Sequence, residues 1–353
     1  MALTVVLEQC LAPVPGGTGR YSREIAAALA RAPGADPVSG VVSWHRWIGA
    51  AVVPGVAGPR RLPLPRRALV AAWERGLGPQ AGGDVVLAPT PLHPSPRRAP
   101  TVVVVHDAVP WTHPETLTPR GVAWHRAQVE RAAREAALIV VPTQAVATEL
   151  ARHVALRELL VVGEGVSGAL SLPPDADERA VALALPERFL LTVATLEPRK
   201  GLDVLLAALA LPGAPDLPLL CAGQSGWGQV DPGGARLLGR VSDADLAVLL
   251  HRATALVVPS RAEGFGLPLL EAMAAGTPVV TSQAPALVEV GGGAARISPL
   301  EPAALAEALR EIVDDEALQA RMVAAGLQRA AHYSWEAAAA LLWPALRSVS
   351  RRA

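Results

Sequence analysis

Lysine is all but missing from this sequence. Of 32 basic side chains in 353 residues, every one is arginine except Lys200. A guanidinium therefore serves almost everywhere, and the one position that keeps a compact, mobile ammonium is a candidate for work that a planar group cannot do. Cysteine is nearly as scarce. Cys10 and Cys221 both sit in apolar, strand-like runs, which excludes a disulfide framework and a cysteine metal cage. Aromatic residues are few (Trp 8, Tyr 2, Phe 2), so the core must be built from Ala, Val and Leu. No secretory leader is recognised, and no uninterrupted apolar run is long enough to span a bilayer. The expectation is a cytoplasmic enzyme of a reducing compartment with no nucleic-acid partner.

What is present points to two domains of ordinary size. The formal net charge of zero conceals an asymmetry. Residues 1–167 carry 17 basic and 12 acidic groups, hence +5, and residues 168–353 carry 15 and 20, hence −5. Much of the basic excess lies between Arg20 and Arg75. Halves of opposite charge imply different ligands for each half.

The same pattern occurs twice along the chain. Short apolar runs over 4–7, 38–42, 84–87, 101–105, 137–141 and 159–162 read as strands, with helical stretches over 21–31, 120–136 and 144–152. Residues 172–175 (Leu-Pro-Pro-Asp) read as a linker. Strands then resume over 189–194, 217–222, 235–238, 255–258 and 278–281. Continuous Val/Leu/Ile runs, rather than strict alternation, mark strands covered on both faces, as in parallel sheets. The expected architecture is two doubly wound α/β domains, 1–170 and 171–334, with a ligand held beyond the carboxyl ends of the strands. A last helix over 335–347 starts at Ser334, which is suited to cap it, with Glu336 in its first turn.

Two segments carry the chemistry. After the strand over 189–194, Thr195-Leu196-Glu197-Pro198-Arg199-Lys200-Gly201 forms a loop with paired cations, and leucines at helical spacing follow it. Strand, cationic loop and helix N-terminus together make a phosphate site. After the strand over 255–258 comes Pro259-Ser260-Arg261-Ala262-Glu263-Gly264-Phe265-Gly266-Leu267-Pro268-Leu269-Leu270-Glu271. Gly264 and Gly266 let the backbone turn tightly and bring its amides near a ligand. Pro268 suits the first helical position. Glu271, one turn in, faces back toward the loop of Glu263. Carboxylates accept hydrogen bonds from sugar or ribose hydroxyls, while free amides and a helix dipole favour a diphosphate.

Glu263 and Glu271, with seven residues between them in Glu-Gly-Phe-Gly-Leu-Pro…Glu-Ala-Met-Ala-Ala-Gly-Thr-Pro, resemble the signature of family 4 retaining glycosyltransferases of the two-Rossmann GT-B architecture. Residues 195–201 are similar to that family's diphosphate loop. Gly239-Arg240-Val241-Ser242-Asp243 resembles its nucleobase border. Gly16-Gly17-Thr18-Gly19-Arg20-Tyr21 and Val104-Val105-His106-Asp107 match its amino-terminal motifs, and His332-Tyr333-Ser334-Trp335-Glu336 its closing motif. One departure stands out. At Val162-Gly163-Glu164-Gly165-Val166 the family usually has Pro-Asn-Gly-Val, and Glu164 replaces the Asn, so no role is assigned to it.

The resemblance implies an all-protein site. Arg199 and Lys200 neutralise the donor diphosphate. Glu263, with the amides of Gly264, Phe265, Gly266 and Leu267, holds the donor sugar. Glu271 accepts from the ribose, while Thr195, Val241 and Asp243 line the nucleotide. Gly17 allows the first loop to approach the phosphates, His106 faces the reacting carbon, and Asp107 orients the loop of His106. Retaining members react by same-face substitution, which needs no glycosidase-type carboxylate pair. No cofactor is implied. No metal is expected either, because Asp175-Ala176-Asp177 falls in the linker and Asp243-Ala244-Asp245 opens a helix. The C-terminal segment, 335–353, is expected to pack back on the first domain.

The nearest resemblance is to bacterial mannosyltransferases of cell-surface polysaccharide and glycolipid assembly, which implies GDP-mannose rather than a UDP-sugar as donor. The implied acceptor is a glycan or a lipid-linked glycan. Arg60, Arg61, Arg66 and Arg67, with Trp44 and Trp47 nearby in sequence and Trp111 further on, suit an anionic membrane face or a lipid diphosphate. A solvated loop with arginines covering apolar surface is the plain alternative. A transferase with a soluble small-molecule acceptor is the runner-up, and a non-catalytic nucleotide-sugar binder comes third. A pyridoxal phosphorylase fits less well, because Lys200 sits beside Arg199 rather than in an apolar pocket.

Overall fold

A computed structural model of the chain describes residues 1–226 and 230–352. It divides into two compact units, one of Met1–Gly165 with Ser334–Ala353 and one of Val166–Tyr333. The first begins with β1 (Leu3–Val6), α1 (Gly16–Arg31), β2 (Val38–Trp44), β3 (Ala57–Pro65), α2 (Arg66–Glu74) and β4 (Val85–Ala88). It continues with β5 (Thr101–Val104), α3 (Val109–Thr112), α4 (Pro119–Glu135), β6 (Leu138–Val141), α5 (Gln144–Ala151) and β7 (Leu159–Val161). All seven strands are parallel, in the order β3-β2-β1-β4-β5-β6-β7.

The second unit opens with α6 (Ala176–Ala182), β8 (Leu190–Val193), α7 (Leu202–Leu209), β9 (Leu219–Ala222), β10 (Arg236–Gly239) and α8 (Asp243–Arg252). Then follow β11 (Ala255–Val258), α9 (Leu267–Ala274), β12 (Val279–Thr281), α10 (Pro285–Gly291), β13 (Arg296–Ile297), α11 (Pro302–Asp314) and α12 (Glu316–Ala330). Its six parallel strands run β10-β9-β8-β11-β12-β13. Each sheet therefore reverses direction between its first and fourth strands, the doubly wound arrangement. The central strands are buried on both faces, which is why their sequences run continuously apolar.

The last helix, α13 (Trp335–Arg352), belongs to the first unit. Ser334 Oγ accepts from the Ala337 N–H at 3.0 Å, so the expected cap forms. Leu342, Trp343, Leu346 and Val349 are buried, and the helix packs on α1 and β4. Trp343 Nε1 donates to the Leu29 carbonyl at 3.0 Å, and Arg347 pairs with Asp36 at 3.0 Å. Burial of Leu346 and Val349 carries the helix through Pro344 to Arg352, beyond the expected end at 347. Ala353 lies outside the described residues.

Three local expectations need correction. The stretch 172–175 is not a linker. It is the turn that opens α6, where Ala176 N–H donates to the Pro173 carbonyl and Asp175 pairs with Arg179. The chain leaves the first unit at Gly165, not near 170, because Gly168–Leu170 already packs on α8. Arg60 to Pro65, where no strand is expected, lie in β3. Its prolines are tolerated because β3 is the edge strand.

Where the chain departs and returns, Gly165 lies against Ser334 and Trp335. A Cβ on Gly165 would stand 2.3 Å from the Trp335 nitrogen and 2.6 Å from the Ser334 carbonyl carbon, both backbone atoms that cannot move aside cheaply. Gly165→Ala is therefore expected to destabilise the protein by about 1–3 kcal/mol, the cost of forcing a methyl into filled space. Denaturant unfolding monitored by tryptophan fluorescence checks this, and an unchanged midpoint would refute it.

Candidate functional site

The two motif loops leave neighbouring strands. β8 and β11 pair in parallel where the strand order of the second unit reverses, the place at which doubly wound sheets hold a ligand. After β8 the chain forms a 3-10 turn, Pro198–Lys200, and Gly201 turns it into α7 with φ +66°. A Cβ on Gly201 would lie 1.9 Å from the Pro259 carbonyl oxygen, so the two loops touch backbone to backbone. Arg261 stitches them further. Its N–H donates to the Arg199 carbonyl at 2.8 Å. Its guanidinium donates to the Pro198 carbonyl at 2.7 Å and to both carboxylate oxygens of Asp203 at 2.9 and 2.6 Å.

That approach sets the charges. Lys200 Nζ donates to Glu263 Oε1 at 2.6 Å, Arg199 to Glu263 Oε2 at 3.0 Å, and Ser260 Oγ to Oε1 at 2.7 Å. Arg199 also holds Glu197 Oε1 at 2.7 Å and the Ala262 carbonyl at 2.9 Å. Burial by itself would raise the Glu263 carboxyl, but Lys200 and then Arg199 outweigh it and hold the group down at about 2. For Glu197 the balance reverses. Burial pushes its carboxyl up despite the opposing charges of Arg199 and Lys200.

Two cations and two carboxylates therefore stand together, with their charges cancelled in the absence of an anion. A carboxylate offers about four acceptor positions, and Glu263 uses three of them here, which leaves room on Oε2 for a ligand hydroxyl. The arrangement can receive a dianion on Arg199 and Lys200 and a hydroxyl on Glu263.

The rest of the expected donor set on the carboxyl-terminal side lies in the same unit. Gly264, Phe265, Gly266 and Leu267 are buried and lead into α9, with Phe265 edge-on to Tyr333 at 5.5 Å. Pro268 is the second residue of α9, one position later than expected. Glu271 is buried within α9. Thr195 and Val241 are half-buried, and Asp243 is exposed at the start of α8, which Ser242 caps through the Asp245 N–H at 3.1 Å. Both Asp-x-Asp spacings are engaged elsewhere: Asp175 and Asp245 pair with Arg179 at 2.9 and 2.8 Å. Among the described residues no group of three or more His, Cys, Asp or Glu side chains could hold a metal ion.

In the first unit, Gly17 lies within the first turn of α1, which starts at Gly16, and not in a loop ahead of the helix. His106 follows β5. Its Nε2 is 2.8 Å from the Pro89 carbonyl, and its Nδ1 is 3.6 Å from Glu164. Asp107 Oδ1 accepts from the Val109 N–H at 3.1 Å, which braces the turn after His106. Trp111 is half-buried against the core and stacks on His153 with ring centroids 5.8 Å apart.

The arginine cluster is less free than its sequence implies. Arg60 donates to the Ala81 carbonyl at 2.6 Å, Arg61 to the carbonyls of His45 and Arg46 at 2.8 and 3.4 Å, and Arg66 lies 3.8 Å from Glu8. Arg67 is exposed. Trp44 and Trp47 are 55% and 78% exposed, in a chain with few aromatic residues to leave in water. No helix among the described residues is long and apolar enough to cross a membrane.

Sequence reasoning assigned no role to Glu164, Glu197, Ser260 or Arg261. Only Glu164 gave a signal in advance, as the departure from the family pattern.

The geometry accounts for the retained lysine. The Lys200 ammonium meets Glu263 in a largely buried space that the Arg199 guanidinium already shares. A compact ammonium can share the carboxylate with Arg199 and still turn a hydrogen to an anion, which a planar guanidinium of fixed geometry does less readily. Lys200→Arg is expected to weaken binding of inorganic pyrophosphate by about tenfold, the low end for disturbing a hydrogen bond to a charged group. An affinity unchanged by calorimetry would refute this.

Residues 174–329 match the family Glycosyl transferases group 1. The chain is 36% identical over 162 residues to the O-antigen chain mannosyltransferase B of Escherichia coli, a match covering 42% of each chain. It is 35% identical over 230 residues to the D-inositol 3-phosphate glycosyltransferase of Streptomyces avermitilis, covering 57% of this chain and 49% of the relative. These matches thus span less than half the length of either curated relative. In fold it is similar to the Anabaena protein HepE, whose structure was solved with UDP and glucose. The TM-score is 0.77 at 18% identity, over 99% of this chain and 100% of that one. The segment that holds both motif loops, residues 174–329, thus matches the glycosyl transferases group 1 family, in a chain of two-sheet GT-B fold.

Proposed function

We propose that this protein is a retaining, metal-independent glycosyltransferase that moves a hexose, mannose from GDP-mannose, to a glycan or lipid-linked acceptor. The observation that carries the reading is the Arg199–Lys200–Glu263 centre, where a preformed cation pair adjoins a carboxylate with room for a hydroxyl. In this reading Arg199 and Lys200 receive the diphosphate and stabilise it as it leaves. Glu263 turns from the two cations toward the donor sugar, Glu271 holds the ribose, and the leaving phosphate oxygen takes the acceptor's proton. The likeness to a mannosyltransferase supports the sugar.

A second reading has one observation in its favour. The relative matched over 230 residues acts on D-inositol 3-phosphate by its name, a small soluble acceptor. Thermal shift with GDP, UDP, GDP-mannose and UDP-glucose, followed by NMR of the product's anomeric centre, separates the alternatives. Preferential stabilisation by GDP-mannose and a retained anomeric configuration are expected. A preference for UDP-sugars with transfer to free inositol phosphate would favour the second reading, and an inverted product would refute retention.

Removing each glutamate tests the division of labour. Glu271→Ala should weaken free nucleoside diphosphate and intact donor alike, by about 1.5–3 kcal/mol for a lost hydrogen bond to a charged group. Glu263→Ala should weaken only the intact donor, because it releases Arg199 and Lys200 for the phosphates while removing the sugar's acceptor. Equal losses of diphosphate binding in the two variants, by calorimetry, would contradict this assignment.

The membrane part of the reading rests on Trp44 and Trp47, exposed beside Arg46 and Arg61, with Arg67 exposed at the start of α2. Interfacial tryptophans and basic groups together favour an anionic leaflet, at about 1 kcal/mol per charge near the surface. Salt-sensitive peripheral binding through the first unit follows. Replacing Trp44, Trp47, Arg46 and Arg67 by serine leaves the Arg60 and Arg61 guanidiniums on their backbone carbonyls, and should abolish co-sedimentation with anionic vesicles. Unchanged co-sedimentation would refute the membrane part alone.

A further inference from the structure

Glu164 stands where the resemblance calls for an uncharged asparagine, and it is 4% exposed. An isolated carboxylate in such a place is costly to bury unless it is paired. The structure supplies His106, whose Nδ1 is 3.6 Å from Glu164 Oε1. The protonation of that ring follows from its other contact. Nε2 is 2.8 Å from the Pro89 carbonyl oxygen, which can only accept, so Nε2 carries a proton. Facing an ionised carboxylate, Nδ1 then has two options. It can turn a lone pair toward a carboxylate oxygen, which is repulsive, or it can carry a second proton, which makes the pair attractive.

We propose that Glu164 is a positioning residue that holds His106 as an imidazolium, with one ring N–H directed at the Pro89 carbonyl and the other at Glu164.

The other groups around the ring agree. Tyr21, from α1, meets the ring edge-on at 4.7 Å, and Trp335, from α13, meets Tyr21 at 5.6 Å; both are neutral. Burial together with the nearby Glu164 charge raises the Tyr21 phenol far above its ordinary value, so it stays un-ionised. Asp107, on the same loop as His106, adds a second negative charge. Burial pulls His106 down, but the Glu164 contact and charge, the Pro89 carbonyl and Asp107 outweigh it, and the net direction is upward. Glu164 immediately precedes Gly165, which lies against Ser334 and Trp335. The charged pair is thus anchored where the chain leaves and re-enters the first unit.

Because the folded value is raised, the pair stabilises the protein below the ordinary histidine value, and this is lost as pH rises through the His106 titration. Deprotonation would leave a lone pair facing Glu164, and the ring would turn out of its orientation. Where turnover is concerned the inference rests on the transferase reading above. The charge state does not.

The direct test is NMR titration of the His106 ring in protein labelled at histidine, assigned by His106→Gln, in the wild type, Glu164→Gln and Glu164→Asp. The Gln amide can donate to Nδ1 and keep the tautomer, so Glu164→Gln removes the charge while preserving a contact. In the wild type His106 should titrate above free histidine. Glu164→Gln should lower its midpoint by about one pH unit or more, and Glu164→Asp should restore much of the difference. The unfolding free-energy difference between wild type and Glu164→Gln should be larger at pH 6 than at pH 9. The alkaline limb of the kcat profile should move down with the ring titration.

A wild-type ring that titrates below free histidine, or a titration unmoved in Glu164→Gln, overturns the proposal. An alkaline limb that stays in place while the ring titration moves overturns the positioning role. A protein that transfers no sugar yet shows the shifted titration fails the transferase reading and upholds the charge pair.

Discussion

The backbone contact between Gly201 and the Pro259 carbonyl governs the carboxyl-terminal site. It exists because β8 and β11 are neighbours at the reversal of strand order, so the loops that follow them leave side by side. With no side chain at 201, the 3-10 turn holding Arg199 and Lys200 drops onto the loop holding Glu263. Arg261 then fixes the distance through the Arg199 and Pro198 carbonyls and Asp203. The short Lys200–Glu263 contact is a consequence of these constraints. The carboxylate is held ionised at about 2 because two cations outweigh its burial. An anion arriving there would find both cations already placed, and Glu263 is the group that would have to give way.

The first unit repeats the geometry and carries a different charge logic. Its sheet also reverses between first and fourth strands, and buried carboxylates follow β1 and β7. Glu8, after β1, is buried and accepts from the Ser43 N–H at 2.7 Å, the Ser43 hydroxyl at 3.0 Å and His45 at 2.9 Å. Glu164 is buried beside His106. In both units, then, a carboxylate taken out of water is matched by named donors, and removing one partner would leave an uncompensated charge. The arginines that look superfluous in the sequence serve partly in this way. Arg60 and Arg61 satisfy backbone carbonyls beside an edge strand.

The strands and the two motif loops were legible from the chain because their causes are local. Continuous Val/Leu runs marked buried parallel strands, and all eleven expected strands lie within two residues of an observed one at each end. Ser242 and Ser334 cap the helices they precede, as their position before an acid-bearing turn implies. β3 was missed because an edge strand tolerates the prolines and arginines that read as loop. The two-residue β13 is too short to carry a pattern. The turn at 172–175 looked like a linker because prolines open helices as well as separate domains.

What the sequence determined by itself was therefore the class of fold and the chemical types at the site: a lone lysine beside an arginine, two spaced glutamates, and a histidine at a strand end. Those follow from side-chain periodicity and from which groups can hold phosphate and hydroxyls. Tertiary structure alone decided who pairs with whom. Glu263 and Lys200 are 63 residues apart and meet only because their strands are adjacent. His106 acquires its proton-holding partners from Pro89 and Glu164, on separate loops that only the parallel sheet brings together. Charge state depends on burial and neighbours across the fold, and neither is written in the spacing of residues along the chain.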